Sequence, residues 1–293
     1  MPDSPFQTVA VYGPGLLGGS IAMAVRECLP QVELRLWARR EQPLIFARER
    51  GIAAHTGTNP AEIARGADLI ILATPIGAFE ELVRSMLPGI SKTAVVTDVG
   101  SVKSYVHRTT GELLTDRRRI FIGSHPMAGT EKSGIENAFA DLLKGATVAL
   151  TNPHAASESD VARLAAFWQA LGCSTYLMEP RNHDHTVARI SHMPHIMAAL
   201  AARCAASDKV PMQDLQRLAS SGFRDTTRVC SGPVGMWADI LWENDVAVRE
   251  TLLDCVRDMH YLIDLLENQD KEGVRRWLEE GKAARETIRK ELS

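Results

Sequence analysis

The chain has 293 residues, 45% of them hydrophobic and 24% charged, enough apolar material for two domains of ordinary size. A formal net charge of −3 gives no general attraction to nucleic acid or anionic membranes, and no apolar run approaches the ~20 residues a bilayer needs. Five scattered cysteines, none in a Cys-x-x-Cys pair, read as reduced thiols rather than a disulfide framework or a zinc site. With no signal peptide evident at the short polar N-terminus, the expected location is the cytoplasm.

Phe6 to Tyr12 reads as a buried strand, followed at once by Gly13-Pro-Gly15-Leu16-Leu17-Gly18 and a helix-like run from Ile21 to Cys28. A Gly-x-Gly-x-x-Gly between strand and helix is the dinucleotide-binding arrangement. Gly13 permits the tight turn, Gly15 admits a pyrophosphate, and Gly18 lets helix and strand close up. The helix N-terminus offers free N–H groups to the phosphates. A second strand, Val32 to Ala38, ends without the acidic residue that an NAD site places about 20 positions beyond the glycines. Arg39 and Arg40 follow instead. Two guanidiniums at this place favour NADP over NAD, the alternative being that both arginines simply decorate a solvated loop.

Strands are expected at Asp68–Ala73, Ala94–Thr97, Ile120–Ile122, Ala146–Leu150 and Ser174–Met178, with helices at Ile76–Leu87 and Asp160–Leu171. This alternation predicts a mostly parallel, doubly wound α/β sheet of Rossmann type over residues 1–179. Thr74, Ser101 and His125 fall just past strand ends, where such sheets gather ligands; Ser101 could instead be a helix N-cap. The stretch from Gly123 to Gly134, with His125, Glu131 and Lys132, reads as a polar loop presenting chemistry.

From Pro180 strand-like runs disappear, and residues 180–293 are expected to be all-α. Trp237, Leu241, Val248, Leu252, Cys255, Met259, Leu262 and Leu266 recur at helical steps. They imply one helix of ~30 residues, ~45 Å long, whose apolar face a second copy would cover in a homodimer. His183, His185, His192 and His195 cluster in sequence. Pro194 and the lack of a completing Cys or Glu argue against metal, leaving imidazoles that line a ligand or hold structure. Arg224, Asp225 and Arg228 suit an anion-binding corner or an exposed helix end.

Taken together, these residues resemble the prephenate/arogenate (cyclohexadienyl) dehydrogenases of tyrosine biosynthesis. The resemblance runs from Val9 to about Glu267. It rests on Gly13-Pro-Gly-Leu-Leu-Gly18, Asp98-Val-Gly-Ser-Val-Lys103, Ser124-His-Pro-Met-Ala-Gly-Thr-Glu-Lys-Ser-Gly134, His183-Asp-His185 with His192-x-x-His195, and Gly222-Phe-Arg-Asp-Thr-Thr-Arg228 leading to Met236-Trp237. It implies oxidative decarboxylation, with hydride passing to NADP or NAD and CO2 leaving as the ring aromatises. It also implies His125 as the base toward the 4-hydroxyl, Ser101 as its orienting partner, and Arg228 as the carboxylate ligand. His195, Asp225, Glu131 and Trp237 match positions that line or gate the pocket. The helical part would be the dimerisation domain. With the chain ending at Ser293, inhibition by tyrosine is expected to act at the active site. Two other readings remain: a 3-hydroxyacid or 6-phosphogluconate type of dehydrogenase, which typically uses a lysine of the helical part, and a non-catalytic NADP-binding regulator.

Overall fold

In the computed structural model, which describes residues 4–53, 55–130, 132–206 and 209–289, β1 (Thr8–Tyr12) is central to the first sheet. Its last four residues are fully buried, as a parallel strand covered on both faces requires. Helix α1 (Leu16–Cys28) returns the chain to β2 (Glu33–Trp37), then α2 (Glu41–Glu49) and β3 (His55–Gly57). A short α3 (Pro60–Ala64), capped by the Asn59 side chain, leads to β4 (Leu69–Leu72). Helix α4 (Phe79–Met86) crosses to β5 (Val95–Asp98). The next helical stretch is α5 (Ser104–Val106), a π-helical turn at His107–Gly111, and α6 (Glu112–Asp116), before β6 (Ile120–Phe121).

The six strands pair in parallel in the order β3-β2-β1-β4-β5-β6, the doubly wound order whose crevice opens where it reverses, between β1 and β4. Residues Val9, Val11, Leu36, Leu69 and Ile71 point into one core with α1 and α7 (Glu158–Ala170); Ala10, Tyr12, Ile70, Leu72 and Val96 point into the other, with α4. Alternation along each strand thus divides its side chains between two apolar layers.

The sequence reading differs from the structure around His125. Gly123–Pro126 is not loop but a buried strand, β7, antiparallel to β8 (Thr147–Thr151) in a second sheet completed by β9 (Ser174–Leu177). A glycine, a serine, a histidine and a proline look like a turn. Here β7 pairs with β8, Asp98 and Lys103 take the Ser124 N–H and carbonyl, and Thr97 and Trp168 satisfy its hydroxyl.

The remaining chain is helical: α8 (Pro180–Val187), a π-helical turn at Ala188–His192, α9 (Met193–Ala205), α10 (Met212–Leu218), α11 (Ser221–Thr227) and α12 (Val234–Glu243). Then come α13 (Asp245–Glu267) and α14 (Lys271–Arg289). The single helix of ~30 residues expected here is therefore two, broken at Asn244, whose side chain donates to the Asp184 carbonyl at 2.9 Å. By compactness the chain divides into residues 1–245 and 246–293. Within the second unit the Trp277 indole of α14 donates to the Asp258 carboxylate of α13 at 3.2 Å. No described helix is long and apolar enough to cross a membrane.

Candidate active site

At the crevice between β1 and β4, Gly13 adopts φ +97°, and a Cβ there would lie 2.8 Å from the Ala73 carbonyl oxygen. A Cβ on Gly18 would lie 2.2 Å from the Gly13 carbonyl oxygen, so both positions exclude any side chain. At Gly15 a Cβ would meet nothing within 4 Å, which leaves room directly before the N-terminus of α1. That first turn carries no acidic residue and no side-chain cap. Its free N–H groups therefore face an open cavity suited to an anion. The cavity, about 420 Å³, is lined by Gly15, Leu16, Leu17, Thr74, Ser101, His125 and Lys132, among others. Thr74 adds a buried hydroxyl with no partner. A dinucleotide's diphosphate fits this glycine cradle, helix end and orphan hydroxyl.

A second cavity of about 580 Å³ adjoins the first through shared residues, including Ser101, His125 and Met236. Its other lining residues include His192, Arg228 and Trp237. Helix α5 begins at Ser104 with Lys103 at its N-cap position, so Ser101 is not the helix cap and lines both cavities instead. Trp237 stacks on His195 with ring centroids 3.5 Å apart and 14° between planes, which fixes the indole as one wall. Among the described residues no lysine of the helical half lines this cavity, whose charged side chain is Arg228 beside the His125 and His192 imidazoles.

His125 is 8% exposed and stands at the boundary between the two cavities. Its Nδ1 lies 2.9 Å from His183 Nε2, and His183 Nδ1 lies 2.8 Å from the Asp184 carboxylate. Asp184 also accepts the backbone N–H groups of Lys103 and Ser104 at 2.7 and 2.8 Å. Burial pushes its carboxyl up, but the hydrogen bonds from His183, Ser104 and Lys103 win and hold it below the usual range. An ionised carboxylate only accepts, so His183 must carry its proton on Nδ1. Its bare Nε2 then accepts from His125 Nδ1–H, which leaves His125 Nε2 as a free lone pair. Burial first, then the neighbouring His183, Lys103 and His192, keep His125 well below the ordinary imidazole value, and therefore neutral.

Of two further histidines, His192 lines the second cavity, whereas His195 does not and lies against Trp237. His192, 1% exposed, receives a hydrogen bond at Nδ1 from the Asn244 amide at 3.2 Å, and its Nε2 is buried without a partner. Burial pushes it down to about 4. His183 and His195 share one side of the helical run only because of the π-helical turn between them. On an unbroken α-helix twelve residues would set them about 120° apart; absorbing one residue in the turn reduces that to about 20°.

The remaining expected site residues are placed less uniformly. Asp225 is on the exposed face of α11, where its side chain is 75% exposed and pairs with Arg224 at 3.7 Å, and it does not line the cavity. It faces solvent because α11 turns Thr227 rather than Asp225 inward. Arg39 and Arg40 are exposed beyond the end of β2 and do not line the first cavity. Glu131 lies outside the described residues. Sequence reasoning missed the roles of His183, Asp184 and Asn244 because their partners are 52 to 81 residues away. Among the described residues no three His, Cys, Asp or Glu side chains are grouped to hold a metal.

Residues 21–177 match the family model for the prephenate dehydrogenase nucleotide-binding domain, and residues 179–280 match that for the prephenate dehydrogenase dimerization domain. Among relatives, the chain is 32% identical to a cyclohexadienyl dehydrogenase of Zymomonas mobilis, over 96% of this chain and 95% of that one. Among solved structures it resembles prephenate dehydrogenase from A. aeolicus in complex with hydroxyphenyl propionate and NAD+. The TM-score is 0.89 at 29% identity, covering 96% of this chain and 98% of that one. Synechocystis arogenate dehydrogenase gives a TM-score of 0.83 at 32% identity, covering 96% and 99%. A doubly wound nucleotide domain, a buried histidine between two cavities and matches along both halves lead to one conclusion: the chain belongs to the prephenate dehydrogenase family.

Proposed function

We propose that this enzyme oxidatively decarboxylates prephenate to 4-hydroxyphenylpyruvate, accepts arogenate as a second substrate to give tyrosine, and uses NADP+ in preference to NAD+. The observation that carries the reading is the free Nε2 of His125, fixed by the Asp184–His183 chain at the boundary of the two cavities.

The nicotinamide cofactor supplies the hydride acceptor. Gly13, Gly15, Leu16, Leu17, Gly18, Thr74 and Ser101 are the residues we assign to hold it. In the adjoining cavity the Arg228 guanidinium binds a substrate carboxylate, with Trp237 as the apolar wall and His195 stacked behind it. His125 Nε2 accepts the proton of the substrate's 4-hydroxyl as hydride leaves the same carbon, and Ser101 orients that hydroxyl. Loss of CO2 from the opposite ring carbon leaves its electron pair to complete the aromatic ring, and the proton returns to the phenolic oxygen. A neutral imidazole is the form this step needs, and burial keeps it so. Glu131 and Asp225 are retained as candidates for gating or binding the substrate's tail.

The preference for NADP rests on the end of β2. Trp37 occupies it, stacked on Tyr12 and donating to the Thr58 carbonyl, and no carboxylate follows before Arg39 and Arg40. We assign residues 1–179 to the cofactor and residues 180–293 to substrate binding and homodimer formation. Exposed apolar side chains on the helices support the latter, among them Leu218 at 80%, Val234 at 82% and Leu278 at 59%. Absorbance at 340 nm with each substrate and each cofactor tests the whole reading. Turnover of neither prephenate nor arogenate removes it; equal kcat/KM for both cofactors, in wild type and in Arg39→Ala, removes the NADP preference alone.

A further inference from the structure

The segment between β5 and α5 carries a residue that the reaction does not touch yet whose side chain and main chain both reach the histidine pair. Lys103 is fully buried, with a side-chain exposure of 0%. Its ammonium is ion-paired with Asp98, likewise 0% exposed, and donates to the Ser124 carbonyl at 2.7 Å, the peptide oxygen immediately before His125. Its own backbone N–H donates to Asp184, the carboxylate that fixes the His183 tautomer. Asp98 closes the arrangement by accepting the backbone N–H groups of Ser124 and Gly100.

We propose that Lys103 is a positioning residue for the reaction: one side chain sets the strand that bears His125, and the same residue's main chain sets the carboxylate that orients His183. This rests on the functional reading above. The alternative, a buried ion pair serving stability alone, fits the physics poorly. Burial pushes the Asp98 carboxyl up and the Lys103 ammonium down, and a pair this deep is commonly no better for stability than an apolar replacement. Hydrogen bonding favours the charged form, since Asp98 accepts two backbone N–H groups besides meeting Lys103, whose Nζ also reaches the Ser124 carbonyl.

A cation held beneath two imidazoles has a second consequence, since it opposes protonation of both rings. The groups acting on His125 are Lys103 with Asp98 from below, His183 and Asp184 from α8, and His192 from the π-helical turn. Arg228 faces it across the substrate-side cavity, and Lys132 and Asp239 across the cofactor-side cavity. Within this set Lys103 is the cation that is both fully buried and hydrogen-bonded to the His125 strand.

The test uses the full-length enzyme carrying Lys103→Met together with Asp98→Asn, which removes both charges and nearly preserves volume. With folding checked by circular dichroism, kcat and KM are measured for substrate and cofactor from pH 5 to 9. The expected result is a kcat at least ~10-fold lower with the KM values for substrate and cofactor nearly unchanged. A folded double variant with wild-type kcat, or one whose loss falls on both KM values and not on kcat, overturns the proposal. A measurement on the wild type guards against a variant that does not fold: nitrogen NMR of 15N-histidine-labelled protein. His125 should be neutral and protonated on Nδ1, the tautomer that the Asp184–His183 chain imposes. A His125 protonated on Nε2 overturns the proposal just as surely. Wild-type enzyme inert toward both substrates would sink the functional reading instead, a result the NMR measurement does not depend on.

Discussion

Replacing Asp184 with Asn tests the tautomer chain on which the base depends. The carboxylate serves three donors: Lys103 N–H and His183 Nδ1–H at one oxygen, and Ser104 N–H at the other. An amide has only one acceptor oxygen. With that oxygen toward His183, its NH2 group confronts Ser104 N–H; turned the other way, it confronts Lys103 N–H. Either orientation leaves one buried backbone donor unmet, a destabilisation of about 1–3 kcal/mol. In the first orientation the tautomers survive but the negative charge is lost. That charge stands about 8 Å from His125 across the His183 ring, and at an effective dielectric of 20 it favours imidazolium by about 2 kcal/mol, or roughly 30-fold in rate. In the second orientation the amide donates to His183 Nδ1, His183 then donates to His125, and Nε2 of His125 becomes the protonated nitrogen. A base presented in the wrong tautomer costs up to about 10⁴-fold. We expect kcat for prephenate to fall between these limits while cofactor KM stays within about twofold, both followed at 340 nm. A folded variant with kcat within threefold of wild type would refute the chain of inference from Asp184 to His125.

Other expectations follow from the same geometry. His125→Asn should lower kcat by about 10²–10⁴ with cofactor affinity intact, and near-wild-type turnover would remove His125 from catalysis. Arg228→Ala should act chiefly through substrate KM, and an unchanged KM would count against its carboxylate role. Burial holds His107 and His192 down at about 3 and 4, so both are neutral when folded, whereas the unfolded chain binds protons below about 6.5. Their contribution is therefore complete above pH 6.5 and is lost as pH falls toward those values, at up to ~1.4 kcal/mol per pH unit for each. Urea unfolding of His107→Gln should show a shallower acid slope between pH 6 and 4, and an identical slope would contradict this reading. Deleting Ile190, an exposed residue of the π-helical turn, removes the one residue that the turn absorbs, so the helical run should continue as regular α-helix with His195 still about 20° from His183. Substrate KM should stay within about threefold of wild type; a tenfold rise would mean that the turn does not act by absorbing one residue.

Local order was readable wherever local rules governed. The glycine loop worked as a motif because its strand and helix flank it directly, and the strand–helix alternation gave the parallel sheet because each crossover is a short-range event. Reading failed where a distant partner satisfied a polar residue. Gly123–Pro126 looked like a turn, since nothing in those four residues announces that β8 supplies the backbone ladder and that Asp98, Thr97 and Trp168 take care of Ser124. Apolar periodicity ran smoothly through Asn244, but the asparagine caps α12 and spends its amide on Asp184 and His192, so the helix ends there.

The histidines of the helical half carry the same lesson further. Spacings of nine and three residues from His183 to His192 to His195 fit no single face of a regular helix, which made convergence on one pocket hard to argue from sequence. A single π-helical turn changes the arithmetic, since one absorbed residue rotates everything beyond it by about 100°. A second such turn, at His107–Gly111, lies in the helical run that begins beside Lys103, so both helical segments that support the histidine pair depart from 3.6-residue periodicity next to it. A turn of this kind is less stable than the α-helical turn it replaces, and nothing in the apolar pattern of either segment calls for it. Its benefit is found in side-chain direction: His183 toward His125, and His195 beneath Trp237. The irregularities that hide this site from periodicity arguments are thus part of what assembles it.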